Sequence, residues 1–413
     1  MRRSTSTVSN IIKADSLRKL LIISSAIHYH YRGRLYAYGP YTREIDIWAD
    51  LFPEVVIAAP CRDEAPPNDC LPFTRPKICI QPQKETGGKT PKAKLIQLLS
   101  LPRLTWGLSR AIRGADAIHV RCPGNLGLLG VILAPLFSRF LVAKYAGQWN
   151  GYAGEPWTAR LQRALLRSPW WRGPVTVYGQ WPNQPPHVIP FFTSMMTAEQ
   201  VGQAVEVATR REAPPPLRVL FAGRLSREKR VAVLLEAVKL AVDGGLELEV
   251  AIVGDGPERD RLHKLAARLQ LQGQVRFIGA LPFGDALKWY EWAHCLVLPS
   301  HSEGWPKVIA EGMCYGLVCI AVGCGQVPAM LAGRGVLLQA GTPQEIAESL
   351  IRVARYPDSF HPVMQAASLW ARQYSLEGLR AALADLLARQ WGITLWPLST
   401  TPSNNYSGFQ LSE

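Results

Sequence analysis

Over the second half of the chain, short apolar runs alternate with amphipathic stretches. The runs at 217–222, 248–253, 275–278, 295–298, 318–322 and 335–338 are four to six residues long and mostly apolar, which suits buried strands. Between them, 230–242, 257–269, 284–292, 307–315 and 343–354 carry helical spacing, with Pro257 placed for a first turn. Continuous apolar strands alternating with helices predict a doubly wound parallel α/β sheet.

The first half repeats this style less regularly. Strands are predicted at 20–24, 55–59, 117–120, 140–145 and 175–178, and helices at 125–137 and 157–166. The Pro-rich stretch 60–91 reads as a long irregular surface excursion. The run Pro214-Pro215-Pro216 reads as a semi-rigid linker between two sheets. At 413 residues the chain exceeds the roughly 250–300 that one core organises, so two domains are expected. They are placed at 1–213 and 214–355. Residues 356–413 are read as C-terminal helices that return to the first domain, followed by a loose polar tail after Trp391.

Composition sharpens this picture. With 48% hydrophobic and 19% charged residues the chain is globular rather than disordered or fibrous. Its longest apolar run, Leu126–Phe137, is too short for the roughly 20 residues of a membrane span. Residues 1–10 are rich in Arg, Ser and Thr with no apolar signal region behind them, which predicts a cytoplasmic protein. Eight cysteines without a CxxC pair read as free thiols, and no zinc site is expected.

The net charge of +14 is uneven: 27 Lys/Arg against 14 Asp/Glu in residues 1–215, but 19 against 18 in residues 216–413. The segment Lys89–Arg113 holds Lys89, Lys92, Lys94, Arg103, Arg110 and Arg113 without an acid, interleaved with Leu and Trp106. It reads either as a surface that docks on an anionic bilayer or as helices with a solvated cationic face. It offers no aromatic single-strand platform or helix-turn-helix, so a basic nucleic-acid-binding protein is the weakest alternative and no nucleic-acid partner is expected.

Two stretches of the second half carry candidate chemistry. Gly223 ends the strand 217–222 and is followed by Arg224 and, five residues on, Lys229. Glycine permits close approach of a ligand to the backbone, and the two cations suit a diphosphate at a strand end. After the strand 295–298 comes Ser302-Glu303-Gly304-Trp305-Pro306-Lys307-Val308, with Glu311 further into the predicted helix. Backbone N–H groups of Trp305, Lys307 and Val308 at that helix start form an anion site. The eight-residue spacing of Glu303 and Glu311 suits two parts of one ligand better than a hydrolytic carboxylate pair.

Together these residues resemble the retaining glycosyltransferases of family 4, whose GT-B fold sets two Rossmann-like domains about a cleft. The resemblance rests on Glu303–Glu311 in an E-x7-E pattern, Gly223-Arg224-Leu225 with Lys229, Val253-Gly254-Asp255-Gly256-Pro257 and Phe277-Ile278-Gly279. It covers 217 to about 354, and the first half matches mainly in layout.

What the resemblance implies is a metal-independent hexosyltransferase needing no cofactor, fed by a UDP-, GDP- or ADP-sugar. Glu303 would hold hydroxyls of the transferred sugar and Glu311 the ribose. Arg224 and Lys229 would neutralise the leaving diphosphate, and Ile278 and Gly279 would meet the base. His119 would be the first domain's strand-end histidine facing the sugar. The acceptor would be a lipid-linked saccharide or polysaccharide precursor at the inner face of the cytoplasmic membrane, which fits lipopolysaccharide or other polysaccharide biosynthesis. A GT-B nucleotide-sugar epimerase is the nearer alternative.

Two departures stand out. The glycine-rich loop 323–329 has Ala329 where the family often has an acid, and the family's Gly-Gly loop has only Gly33 as an equivalent. Arg32 and Arg34 beside it would bind phosphate or an acidic acceptor. Trp149 is either a sugar-stacking ring or a core aromatic.

Overall fold

The computed structural model describes residues 17–85, 91–151, 155–212 and 215–392, with backbone alone for 91–98. Lys89, Pro214 and everything beyond Gly392 lie outside the described residues, as do the side chains of Lys92 and Lys94.

The first part of the chain builds a ten-stranded sheet. In order come β1 (Lys19–Ile23), β2 (His28–Tyr31), β3 (Arg34–Tyr38), α1 (Gly39–Leu51), β4 (Glu54–Arg62), β5 (Cys70–Pro72), β6 (Ile78–Gln83) and α2 (Pro91–Arg113). Then follow β7 (Ala117–Cys122), α3 (Asn125–Leu133), β8 (Leu141–Tyr145), α4 (Trp157–Arg167), β9 (Val175–Tyr178), β10 (Val188–Phe191) and α5 (Ala198–Thr209). The strand order is β10-β9-β8-β7-β1-β4-β2-β3-β5, with β6 also pairing β4. Its centre is parallel and buried on both faces, which is why β1, β7 and β8 read as continuous apolar runs.

The 60–91 stretch departs from the irregular excursion expected of it. β4 runs on to Arg62, β5 pairs antiparallel with β3, and β6 lies parallel to β4 over six positions. Its half-buried edge positions lack an apolar run, and Pro82 is tolerated there because an edge strand can spare a donor. The expected helix pair around Lys89–Arg113 is one helix, α2, with Pro102 inside it.

The second part builds a six-stranded parallel sheet. Its elements are β11 (Leu217–Ala222), α6 (Val231–Asp243), β12 (Leu248–Val253), α7 (Arg259–Arg268), β13 (Val275–Gly279), α8 (Phe283–Trp292) and β14 (Cys295–Leu298). α9 (Lys307–Cys314), β15 (Val318–Val322), α10 (Val327–Leu331), β16 (Val336–Leu338) and α11 (Pro343–Arg355) complete it. The order β13-β12-β11-β14-β15-β16 reverses direction at β11, the switch point where strand-end ligands bind in such sheets.

Two last helices, α12 (His361–Ala371) and α13 (Leu376–Trp391), tie the halves together. The Leu376 N–H donates to the Met196 carbonyl at 2.8 Å, and the Trp391 indole donates to the Leu141 carbonyl at 3.3 Å, so α13 lies against the first sheet. No described helix is long and apolar enough to cross a membrane. All eight cysteines are free thiols.

Candidate active site

The carboxyl ends of β11, β12 and β13 meet as three glycines. The Gly223 N–H donates to the Val253 carbonyl at 2.9 Å, and the Gly254 N–H to the Gly279 carbonyl at 2.8 Å. Gly254 has φ +136°, and a Cβ there would overlap the Gly223 carbonyl oxygen, so this position admits no side chain. The result is a bare backbone ledge, with Ile278 half-buried at its β13 end.

Above that ledge, Arg224 is exposed, and among the described residues it has no ion-pair partner. Lys229 stands in a short 3-10 turn before α6, and its Nζ donates to Glu303 Oε1 at 2.6 Å. Glu303 sits in the loop between β14 and α9 with its side chain only 10% exposed. That loop is held from behind: the Gln326 N–H donates to the Gly304 carbonyl at 3.2 Å, and Gly325 packs directly on the Glu303 carbonyl.

Pro306 is the N-cap of α9, and Lys307 and Val308 open the helix half-buried. The Trp305 ring turns away from the crevice into a cluster with Trp370 at 6.0 Å and Tyr374 at 5.2 Å, so only its backbone faces the ledge side. Glu311, one turn further on, is buried and accepts a 2.6 Å hydrogen bond from the Tyr290 hydroxyl. Burial pushes the Glu311 carboxyl above its ordinary range, opposed by that hydroxyl and by the charges of Lys307 and Arg43. Tyr290 carried no motif in the sequence; only its place on α8 opposite α9 makes it a partner.

The first sheet contributes differently from what the sequence suggested. His119 is the third residue of β7 rather than a strand-end residue, and it is 0% exposed. Its ring stacks on Trp48 of α1 with centroids 4.6 Å apart, and neither ring nitrogen has a hydrogen-bond partner. Burial lowers it to about 3. His119 is therefore a neutral core residue with no surface open to the crevice. Strand periodicity places Arg121 two residues on, on the same face and nearer the carboxyl end. Arg121 Nη1 donates to Glu44 Oε1 of α1 at 2.9 Å, and Lys144 of β8 bonds Glu44 Oε2 at 2.9 Å.

Of the two readings of Trp149 the core aromatic stands, and the expectation at Gly33 is corrected. Trp149 is 2% exposed; its indole donates to Gln184 Oε1 at 2.8 Å and its ring meets Tyr145 edge-on, so no sugar can stack on it. Arg32 and Gly33 have φ +48° and +73° and form the tight turn of the β2–β3 hairpin, so Gly33, the expected equivalent of a glycine loop after the first strand, sits at a hairpin tip. The Arg32 guanidinium rests over the Tyr31 ring at 5.1 Å, and exposed Arg34 begins β3 at that tip. The opposite end of the hairpin is the part that nears the second sheet. Tyr38 lies within the electrostatic reach of Arg224 and Glu311. Arg43 on α1 donates to the Met195 carbonyl at 2.6 Å and lies over the Phe283 ring of α8 at 4.9 Å. Tyr178 at the end of β9 packs against Gly304, and Gln326 against Gly179. The carboxyl ends of the two sheets therefore face one another. Among the described residues, no three His, Cys, Asp or Glu side chains cluster to hold a metal ion.

Comparison with known structures places this arrangement. HepE of Anabaena, solved with UDP, superposes with a TM-score of 0.66 at 16% identity, covering 90% of this chain and 100% of HepE. The fold is GT-B. Sucrose-phosphate synthase of Thermosynechococcus elongatus, with a TM-score of 0.64 at 18% identity, covers 91% of this GT-B chain and has 99% of its own length matched. Residues 207–367, which hold the glycine ledge and both Glu303 and Glu311, match the family model of glycosyl transferases group 1. By sequence, the D-inositol 3-phosphate glycosyltransferase of Streptomyces bingchenggensis is 31% identical over 198 residues, 45% of this chain and 44% of that protein. The chain thus spans less than half the length of such curated relatives.

Proposed function

We propose that this GT-B protein is a retaining, metal-independent hexosyltransferase of family 4, moving a sugar from a nucleoside diphosphate to a saccharide hydroxyl. The observation that carries the reading is the Lys229–Glu303 pair at the strand ends beside the glycine ledge, with Arg224 following Gly223 and Glu311 one turn into α9. Anionic ligands are favoured there by Arg224, Lys229 and the start of α9. In this reading, Glu311 binds the ribose, Glu303 binds hydroxyls of the transferred sugar, and Ile278 and Gly279 line the base.

Arg224 and Lys229 stabilise the charge that develops on the departing diphosphate, with no call on a metal ion. Donor binding separates Lys229 from full engagement with Glu303, freeing the carboxylate for the sugar. Closure of the facing sheets through Arg43, Tyr178 and Gln326 excludes water from the reacting centre. HepE was also solved with UDP and glucose, which makes UDP-glucose the first donor to try.

The acceptor side is read as membrane-borne. Between Lys89 and Arg172 the chain has 13 Lys/Arg against Asp116 and Glu155 alone. α2 exposes Leu99 (73%) and Trp106 (67%); Arg110 lies over Trp106 and Arg113 over Phe137, and Leu136 and Trp170 are exposed nearby. Aromatic and aliphatic side chains set beside Arg110 and Arg113 suit an anionic bilayer, each cation near it contributing about 1 kcal/mol. A lipid-linked saccharide acceptor at that surface follows. The test is transfer of radiolabelled glucose from UDP-glucose to membrane extracts. Acceptor-dependent release of UDP supports transfer, and release of a free epimerised nucleotide sugar supports the epimerase instead.

A further inference from the structure

Arg121 and Lys144 are directly opposite in the register of the parallel strands β7 and β8, and both side chains point to the α1 face. Like charges so placed repel, and one carboxylate, Glu44, bridges them with an oxygen to each. The side chains of Glu44 and Lys144 are 4% and 6% exposed, and that of Arg121 is 18% exposed. The cluster therefore holds two cations and one anion away from water, one negative charge short of balance. The rings of Tyr41, 5.0 Å from the Arg121 guanidinium, and Tyr178, 5.3 Å from the Lys144 ammonium, supply only partial compensation. The Glu44 carboxyl, which burial would raise, is instead held at about 2 by Arg121 and Lys144, so its single charge is fixed.

Arg121 spends Nη1 on Glu44, and among the described residues its Nε and Nη2 have no hydrogen-bond partner. Tyr178, which lies over the Lys144 ammonium and within electrostatic reach of Arg121, meets Gly304 next to Glu303. Arg121, one residue from the carboxyl end of β7 and still 18% exposed, therefore stands on the crevice side of the first sheet.

We propose that Arg121, backed by Lys144, is the receptor for an anionic group on the acceptor, a phosphate or carboxylate carried by the saccharide. Resting on the reading of the second sheet as the donor side, this assigns the diphosphate to Arg224 and Lys229 and leaves the unbalanced charge across the crevice for a second anion. A guanidinium edge with two free donors matches the paired oxygens of either group, and desolvation there strengthens each bond. A neutral saccharide would leave the cluster's excess positive charge uncompensated on closure, so the cluster also selects against neutral acceptors.

The test uses the full chain saturated with UDP, so that the donor side is filled, and titrated calorimetrically with inorganic phosphate and separately with glucuronate. Saturable binding is expected for at least one probe, and the stronger of the two identifies phosphate or carboxylate as the group. Arg121→Gln, which leaves Glu44 its partner Lys144, is expected to weaken that binding by roughly tenfold or more, the loss of charge-assisted hydrogen bonds. Arg34→Gln at the exposed hairpin tip is expected to change nothing. If Arg121→Gln does not fold, Arg121→Lys keeps the charge, loses the fork and must still weaken the probe.

No binding of either probe to the UDP-loaded protein, equal binding by Arg121→Gln or Arg121→Lys, or loss in Arg34→Gln instead would overturn the proposal. Failure of UDP, GDP and ADP alike to raise the melting temperature would sink the donor reading. Phosphate binding lost in Arg121→Gln would still leave the anion site standing.

Discussion

Lys229 and Glu303, 74 residues apart in sequence, meet at 2.6 Å across the carboxyl ends of β11 and β14. The pair is largely shielded from solvent, so each charge depends on the other until a ligand enters. In the proposed reaction both are then reassigned, Lys229 to the diphosphate and Glu303 to the sugar. Lys229→Ala is expected to lower kcat/KM by on the order of 10²–10³, the cost of losing one preorganised charge at the leaving group. Steady-state kinetics with UDP-glucose check this; a loss under threefold would remove Lys229 from the chemistry.

Tyr290 holds Glu311 from behind. Tyr290→Phe keeps the ring and removes the hydroxyl that the buried carboxylate accepts from, freeing the carboxylate to turn from the donor. A hydrogen bond to a charged group contributes about 1.5–3 kcal/mol, so donor affinity should fall roughly tenfold to a hundredfold. The thermal stabilisation by nucleoside diphosphate should shrink accordingly. A full response in Tyr290→Phe would mean that the hydroxyl does not position Glu311.

Much of this was legible in the sequence, and the parts that were not have physical reasons. Apolar runs gave the six strands of the second sheet because parallel strands are buried on both faces. Glu303, Lys229 and Gly223 come together because each lies in the connection that follows such a strand, and Glu311 follows one turn into α9. His119 misled because a histidine in an apolar strand carries no mark of depth. Its stack on Trp48 depends on α1, a helix whose polar-looking text (Thr42, Arg43, Glu44, Asp46) hid its burial. Those same polar residues supply Arg43 and Glu44, which tertiary packing alone brings to Phe283 and Arg121 respectively.

Acid should loosen the fold well above the carboxylate range. His119, His28 and His294 are buried and neutral, lowered by burial to about 3, 4 and 4, with Arg218 and Arg211 adding to the effect at His294. The unfolded chain takes up protons on all three below about pH 6.5 while the folded chain does not, so stability falls as pH drops from 6.5 toward 4. The slope reaches at most about 1.4 kcal/mol per pH unit for each histidine. Urea unfolding at pH 7 and pH 5 should show a lower midpoint at pH 5, and His119→Leu should flatten that difference. An unchanged dependence in His119→Leu would contradict its neutral burial.

In the proposed mechanism, closure of the sheets relies on an absent side chain. Gly179 has φ +72°, and a Cβ there would collide with the side-chain amide of Gln326. Gly179→Ala is therefore expected to lower kcat more than donor affinity, by roughly tenfold or more if closure shifts by about 1 Å. Rapid-quench measurement of the transfer step would separate the two; equal effects on binding and turnover would argue against a closure role.

Membrane docking has its own check in flotation with vesicles of phosphatidylglycerol and phosphatidylcholine. Binding should require the anionic lipid and weaken with salt, and Trp106→Ser together with Arg110→Gln should reduce it severalfold, each cation accounting for about 1 kcal/mol. Protein that stays at the bottom of the gradient with anionic vesicles at low salt would sink this part of the account.

The central claim, that the ledge around Gly223, Lys229, Glu303 and Glu311 takes a nucleoside diphosphate sugar, is tested most directly by calorimetric titration of UDP, GDP and ADP. One of the three should bind stoichiometrically, with affinity reduced at least tenfold in both Arg224→Ala and Glu311→Ala, in keeping with lost charge-assisted contacts. Absence of binding by all three, or an affinity unchanged in both variants, would contradict it.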